Sequence, residues 1–217
     1  MKIKEIHPNI YLVTSKKLKY LTKSFQRMSE FNESPSKKFQ GKYFEKKVFN
    51  KWFDKKYCRD YYISWEGFNV TDVIVNSFEK KYKNKLDDYE LNLFSLIKTI
   101  PKKKYSLIGA RDKDYGTILH ELIHGVFYLN KGYQKKVQEY LFNSDCKSLR
   151  RLRKHLKEIG YCNKVMVDEL NAYLMAEKKY LNKNKIWNKK LIKISKGLKK
   201  LIKQYHPNVF KRGSLGV

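Results

Sequence analysis

The segment His120-Glu121-Leu122-Ile123-His124 constrains this chain more than any other part of its sequence. Residues four apart lie on one face of an α-helix, so both imidazoles can reach a single metal ion. Glu121 follows the first histidine directly and points beside the ion, where a general base for a metal-bound water is needed. The apolar neighbours that favour burial of this helix are Leu119, Leu122, Ile123, Val126 and Phe127.

A catalytic zinc site needs a third protein ligand and an open fourth position. The segment 165–173 places Asp168 and Glu169 on an otherwise apolar predicted helix. Glu169 is the predicted third ligand, which gives the His2Glu set of peptidase zinc sites. The remaining histidines fit less well, because two precede proline near the chain ends and one lies among basic residues: His7, His206 and His155.

At these positions the chain resembles the gluzincins, which are zincin-like metallopeptidases with a glutamate as third zinc ligand. The matching residues are His120, Glu121, His124, Glu169 and, three residues later, Ala172. In several members an aspartate at the next position orients a ligand histidine, but this chain has Tyr173 there. Asp168 or Asn171 is a candidate replacement, with a plain helix N-cap as the alternative for Asp168. The resemblance covers about residues 105 to 180.

The resemblance implies a Zn²⁺ cofactor, a peptide or protein substrate, and hydrolysis of a peptide bond with Glu121 as base. It also implies that the strand before the metal helix is a sheet edge that pairs with extended substrate. That predicted edge strand consists of Tyr105, Ser106, Leu107, Ile108, Gly109 and Ala110. A Tyr or His would stabilise the oxyanion, and the candidates are Tyr161, Tyr173 and His155.

Hydrophobic periodicity predicts an α+β fold, a helix-dominated zincin-like domain with a small β-sheet beside the motif helix. Thr117 is the predicted N-cap of that helix, and Asp112 and Asp114 are expected to be solvated loop charges. The predicted strands are 61–65 and 105–110, and residues 42–58 fit either a helix or an extended ribbon. The other predicted helices are 15–31, 71–78, 86–100, 134–142, 148–159, 165–181 and 186–205.

The expected organisation is one compact unit with three parts. Residues 1–60 form a helical or extended segment packed on the core, 61–182 the catalytic domain, and 183–217 a basic amphipathic helix and tail. No secretory leader or apolar run of transmembrane length is evident. The cysteines lack the spacing of a disulfide framework, so a cytoplasmic location is expected; they are Cys58, Cys146 and Cys162.

The formal net charge of +28 raises the question of a nucleic-acid or anionic-surface partner. Lysine supplies nearly all of the excess, which favours a compositional origin over recognition, because nucleic-acid sites prefer arginine. Two alternatives to a peptidase remain at this point. One is a zincin-like binding scaffold without activity, and the other is a basic nucleic-acid-associated protein with a structural zinc, closed by a fourth protein ligand.

Overall fold

The computed structural model describes residues 1–101 and 104–211 and shows a helix-rich α+β fold with a small mixed sheet, which confirms the predicted fold class. In chain order the elements are β1 (Lys2–His7), β2 (Ile10–Ser15), α1 (Leu18–Glu33), α2 (Lys46–Tyr57), α3 (Tyr61–Ser64), β3 (Gly67–Thr71), α4 (Asp72–Tyr82), α5 (Asp88–Ile97), β4 (Ser106–Arg111), α6 (Tyr115–Leu129), α7 (Lys131–Asn143), α8 (Lys147–Glu158), α9 (Met166–Ala176), α10 (Lys178–Lys183) and α11 (Lys189–Tyr205). Residues 212–217 of the predicted C-terminal tail lie outside the described residues.

The sheet has the strand order β1-β2-β4-β3. β1 and β2 form an antiparallel hairpin, β2 runs parallel to β4, and β4 is antiparallel to β3. The N-terminal segment therefore supplies half of the sheet instead of packing on a finished core. The boundary expected at residue 60 does not separate two structural units, because β2 pairs with β4 along its whole length.

The prediction that residues 105–110 form a substrate-binding edge is wrong. β4 lies between β2 and β3, so neighbouring strands use its backbone groups on both sides. The sheet edges among the described residues are β1 and β3. The strands at residues 2–15 and 67–71 were missed, although residues 10–14 are a run of strand-forming side chains, and strand pairing depends on distant partners.

Helices cover both faces of the sheet. Alternate side chains of a strand point to opposite faces, so each inner strand contributes to two cores. One core joins the sheet to α6, α7, α8, α9 and α11, and its sheet residues are Ile10, Leu12, Ile108 and Ala110. The other joins the sheet to α1, α4 and α5, and its sheet residues are Tyr11, Val13, Phe68, Val70 and Leu107.

The strand predicted at residues 61–65 is wrong, because the structure has the short helix α3 there. The Asp60 side chain accepts a hydrogen bond from the Tyr62 backbone N–H at 2.8 Å and caps this helix. Tyr61 then packs into an aromatic cluster with side chains of α2. Of the two predictions for residues 42–58, a helix or an extended ribbon, the structure has a helix at residues 46–57. The predicted helix 165–181 also divides into α9 and α10 at Glu177.

The C-terminal helix α11 packs against α7, α8 and α9. Its apolar stripe is buried there and consists of Leu191, Ile194, Leu198 and Ile202. Within residues 1–101 and 104–211, no helix combines the length and apolar character that a membrane crossing requires. All three cysteines are free thiols.

Candidate metal centre

Helix α6 carries the motif and lies between α9 on one side and β3 and β4 on the other. Its N-cap is Asp114, whose carboxylate accepts from the Thr117 backbone N–H at 3.2 Å. The prediction of Thr117 as N-cap is therefore wrong, and Asp114 is a capping residue instead of a solvated loop charge. Gly125 lets the helix approach the sheet, because a Cβ there would lie 2.9 Å from the Cδ1 atom of Ile10.

Three buried side chains converge at the centre of the site. His120 Nε2 lies 3.8 Å from Glu169 Oε2, and His124 Nε2 lies 3.6 Å from Glu169 Oε1. Tetrahedral zinc with bonds of about 2.1 Å places its ligand atoms about 3.4 Å apart. The ligand atoms of the three residues lie within 4.8 Å of one another, so the side chains must move inward to bind the ion. Glu169 Oε2 is also buried without a hydrogen-bond partner. Buried polar atoms normally have a partner, so this oxygen is a candidate metal ligand. The donor set and its geometry fit zinc.

The outward nitrogen of each histidine faces a second carboxylate. His124 Nδ1 lies 2.9 Å from Asp168 Oδ1, and His120 Nδ1 lies 3.2 Å from Glu177 Oε1. Such carboxylates fix the ring tautomer and turn Nε2 towards the metal. Asp168 was a sequence candidate for this role, whereas Glu177 was missed. Its spacing of two helical turns after Glu169 is the signal that would have found it.

Two opposing effects set the pKa values of the site: burial of the side chains and the attraction between opposite charges. Burial lowers the pKa of His120, but its interactions with the Glu169 and Glu177 carboxylates outweigh that effect and raise the pKa to about 9. Burial raises the pKa of Glu121 to about 7, against the lowering effect of His120 and His124. Both values describe the site without a metal ion, and a bound cation would lower both pKa values.

The Glu121 side chain rests against the edge strand β3. A Cβ on Gly67 would lie 2.3 Å from Glu121 Oε1, so only glycine at this position leaves room for the carboxylate. The Asn69 amide donates to the backbone carbonyl of Glu121 and to Ser106 Oγ, both at 3.0 Å. These contacts fix β3 to the motif helix. Neither Gly67 nor Asn69 was identified from the sequence.

A cavity of about 240 Å³ opens beside the three converging side chains. It is bounded by β3, by α6 and α9, and by residues from α1, α2 and α3. The N-terminal part of the chain, to which the sequence assigned no role in the site, therefore forms one wall of the cavity. This wall carries Glu30 and Glu33.

Four sequence candidates remain, three for binding the oxyanion and Asn171 for orienting a ligand histidine. Of these four residues, Tyr161 is the one that lines the cavity. Burial raises its pKa well above the usual range, so its O–H stays available as a donor. Tyr173 lies behind it with the two hydroxyl oxygens 3.3 Å apart, and its ring meets the His120 ring edge-on. Asn171 instead accepts a hydrogen bond from the Tyr133 hydroxyl, and the His155 ring pairs with the Tyr180 hydroxyl.

The structure thus brings His120, His124 and Glu169 together, with Glu121 and Tyr161 beside them on an open cavity. This arrangement can hold a metal ion, move a proton and donate a hydrogen bond to a developing negative charge. Comparison with protein-family models, with curated proteins and with solved structures finds no match for this chain.

Proposed function

We propose that this chain is a zinc-dependent peptidase of the gluzincin type. The observation that carries the proposal is the convergence of two histidine Nε2 atoms on the Glu169 carboxylate beside an open cavity. When bound, zinc would supply Lewis acidity to the substrate carbonyl and lower the pKa of a water to about 7. The residues that would hold it are His120, His124 and Glu169.

Glu121 acts as the general base in this proposal. Its carboxylate takes a proton from the attacking water and returns it to the amine of the cleaved bond. Its buried position against Gly67 and the Asn69 contact to its backbone keep the carboxylate at the site. Tyr161 donates its O–H to the oxyanion that forms on the substrate carbonyl.

The edge strand β3 is the proposed place for the substrate backbone, in place of residues 105–110. β3 pairs with β4 on one side only, and Gly67, Phe68 and Asn69 line the cavity. A free strand edge binds extended peptide through main-chain hydrogen bonds, which tolerate many side chains. The peptide bond to be cut would then lie beside Glu121.

Replacing Gly67 by Ala tests this arrangement. The new Cβ would meet Glu121 Oε1 at 2.3 Å and the Thr117 methyl at 2.5 Å, so the carboxylate must move. We expect kcat to fall by about a hundredfold, the effect of displacing a catalytic group by about 1 Å, while zinc stays bound. Gly116→Ala is the matched control, because its Cβ would meet nothing closer than 3.8 Å. Equal kcat for both variants would contradict the position given to Glu121.

A purely structural zinc is less well supported. Structural sites are closed by a fourth protein ligand, whereas catalytic sites keep one position open. Among the described residues, the group that could hold the ion comprises three side chains. The cavity opens directly beside them, which favours access by a substrate.

The test of the proposal is metal-dependent hydrolysis. The full chain is loaded with zinc, its metal content is measured, and it is incubated with a pool of quenched fluorescent peptides. We expect cleavage that a chelator abolishes and added zinc restores. A zinc-loaded chain that cleaves no peptide contradicts the proposal. Binding to generic DNA or RNA that weakens steeply with salt would then support the nucleic-acid alternative.

A further inference from the structure

The C-terminal end of α1 places acidic side chains in the cavity beside the metal centre. Glu30 and Glu33 line the same cavity as Glu121, Asp168 and Glu169. Five carboxylates therefore face this cavity, although the whole chain has a formal net charge of +28. Neither α1 residue is needed to hold zinc or to move the proton of the proposed reaction.

Positive charge on the cavity lining does not balance these carboxylates. Lys164 is the one lysine or arginine among the described lining residues, and its ammonium group donates to Asn32 Oδ1 at 3.0 Å. A zinc ion would offset two of the five carboxylates. With all five carboxylates ionised, zinc and Lys164 together would leave two negative charges unbalanced.

The two α1 carboxylates differ in their partners. Glu30 is buried and accepts a hydrogen bond from the Tyr61 hydroxyl. Glu33 makes no hydrogen bond or ion pair with another described side chain, and burial, followed by the charges of Glu169 and Glu30, raises its pKa well above the usual range. A partly buried carboxylate without a partner is costly, and a cation that donates hydrogen bonds removes that cost.

A second polar group on the same wall also lacks a partner. Ser29 is 3% exposed and lines the cavity, yet its hydroxyl oxygen has no hydrogen-bond partner. Buried hydroxyls are normally satisfied, so this one is a further acceptor for a bound group. Aromatic side chains complete the wall, and the Arg59 guanidinium already lies within 5.6 Å of three of their ring centroids, those of Phe53, Tyr57 and Trp65.

We propose that this wall binds a positively charged group of the peptide substrate, with Glu33 as its counter-ion and Glu30 and Ser29 beside it. The proposal rests on the peptidase function and adds a substrate class to it. The charged group is either the terminal ammonium of the peptide or the side chain of a lysine or arginine.

Four short alanine peptides, each amidated at its carboxyl end, separate these sources. One has a free amino terminus and one is acetylated. The other two are acetylated and carry lysine or norleucine in place of the same alanine. Binding is measured by calorimetry to the zinc-loaded Glu121→Gln protein, so that cleavage does not consume the probes.

We expect a cationic peptide to bind at least about tenfold more tightly than its neutral counterpart, as for a hydrogen bond to a charged group. Tighter binding of the free-amino peptide than of the acetylated one identifies the terminal ammonium as the bound group. Tighter binding of the lysine peptide than of the norleucine one identifies the side chain. Adding Glu33→Gln should remove the preference and leave neutral peptides unaffected. Glu139→Gln is the matched control, since this exposed residue pairs with Lys136 on α7.

Equal binding of cationic and neutral peptides would overturn the proposal, and this comparison needs no Glu33 variant. A preference that survives Glu33→Gln would also overturn it. Two zinc ions per chain would assign Glu33 to a second metal instead. The preference for cationic peptides could be found while the unmodified, zinc-loaded chain cleaves no peptide. That result would refute the peptidase function but would support the cation site.

Discussion

Replacing Glu121 by Gln is expected to lower kcat by about 10²- to 10⁴-fold while the chain keeps its zinc. Gln fills the same space against Gly67, but its amide cannot take a proton from the attacking water. The metal ligands are unchanged, so binding of the ion should be preserved. The measurement combines kcat on a cleaved peptide with zinc content determined by atomic absorption.

The control for this variant is Glu139→Gln, which makes the same chemical change on the exposed surface of α7. Full activity of the Glu121→Gln protein would exclude Glu121 as the base. Loss of zinc together with activity would give Glu121 a role in holding the metal. Either result would require a different mechanism.

The second large effect concerns the third ligand. Replacing Glu169 by Ala removes one donor of three and leaves the two histidine Nε2 atoms without their shared partner. We expect zinc affinity to fall by more than about a hundredfold, since loss of an outer carboxylate alone costs about 10- to 100-fold. Affinity is measured by competition with a chromophoric chelator, and zinc content is measured again after dialysis.

Glu177→Gln should give a smaller loss of zinc affinity than Glu169→Ala in the same measurement. This variant keeps all three ligands and weakens only the contact that orients His120, so its loss should stay within about 10- to 100-fold. Both variants are compared with Glu139→Gln. Unchanged zinc content in Glu169→Ala would remove Glu169 from the metal centre.

The parts of the site that the sequence predicts are those set by short spacing. His120 and His124 lie one turn apart, and Asp168 and Glu169 stand out as charges on an apolar helix. Helical periodicity is local, so most helices were predicted close to their observed bounds. Glu177 was missed although the predicted helix 165–181 places it two turns after Glu169, because no local pattern connects it with His120.

The parts that the sequence does not predict depend on distant contacts. The pairing of β2 with β4 buries the strand that was expected at the edge, and no local pattern in either segment indicates that partner. Gly67 and Asn69 reach Glu121 only because β3 lies against α6. Glu30 and Glu33 read locally as polar residues near a helix end, and the fold alone turns them towards the cavity.

The parallel pairing of β2 with β4 also sets an order of assembly. The β1–β2 hairpin is made before its partner strand at residues 106–111, and α1 to α5 are made between them. Contacts between such distant segments form late and slow the folding of the chain. The sheet can therefore close only shortly before the motif helix is made, and Glu169 follows later still. Until then one face of the hairpin remains exposed to non-native partners.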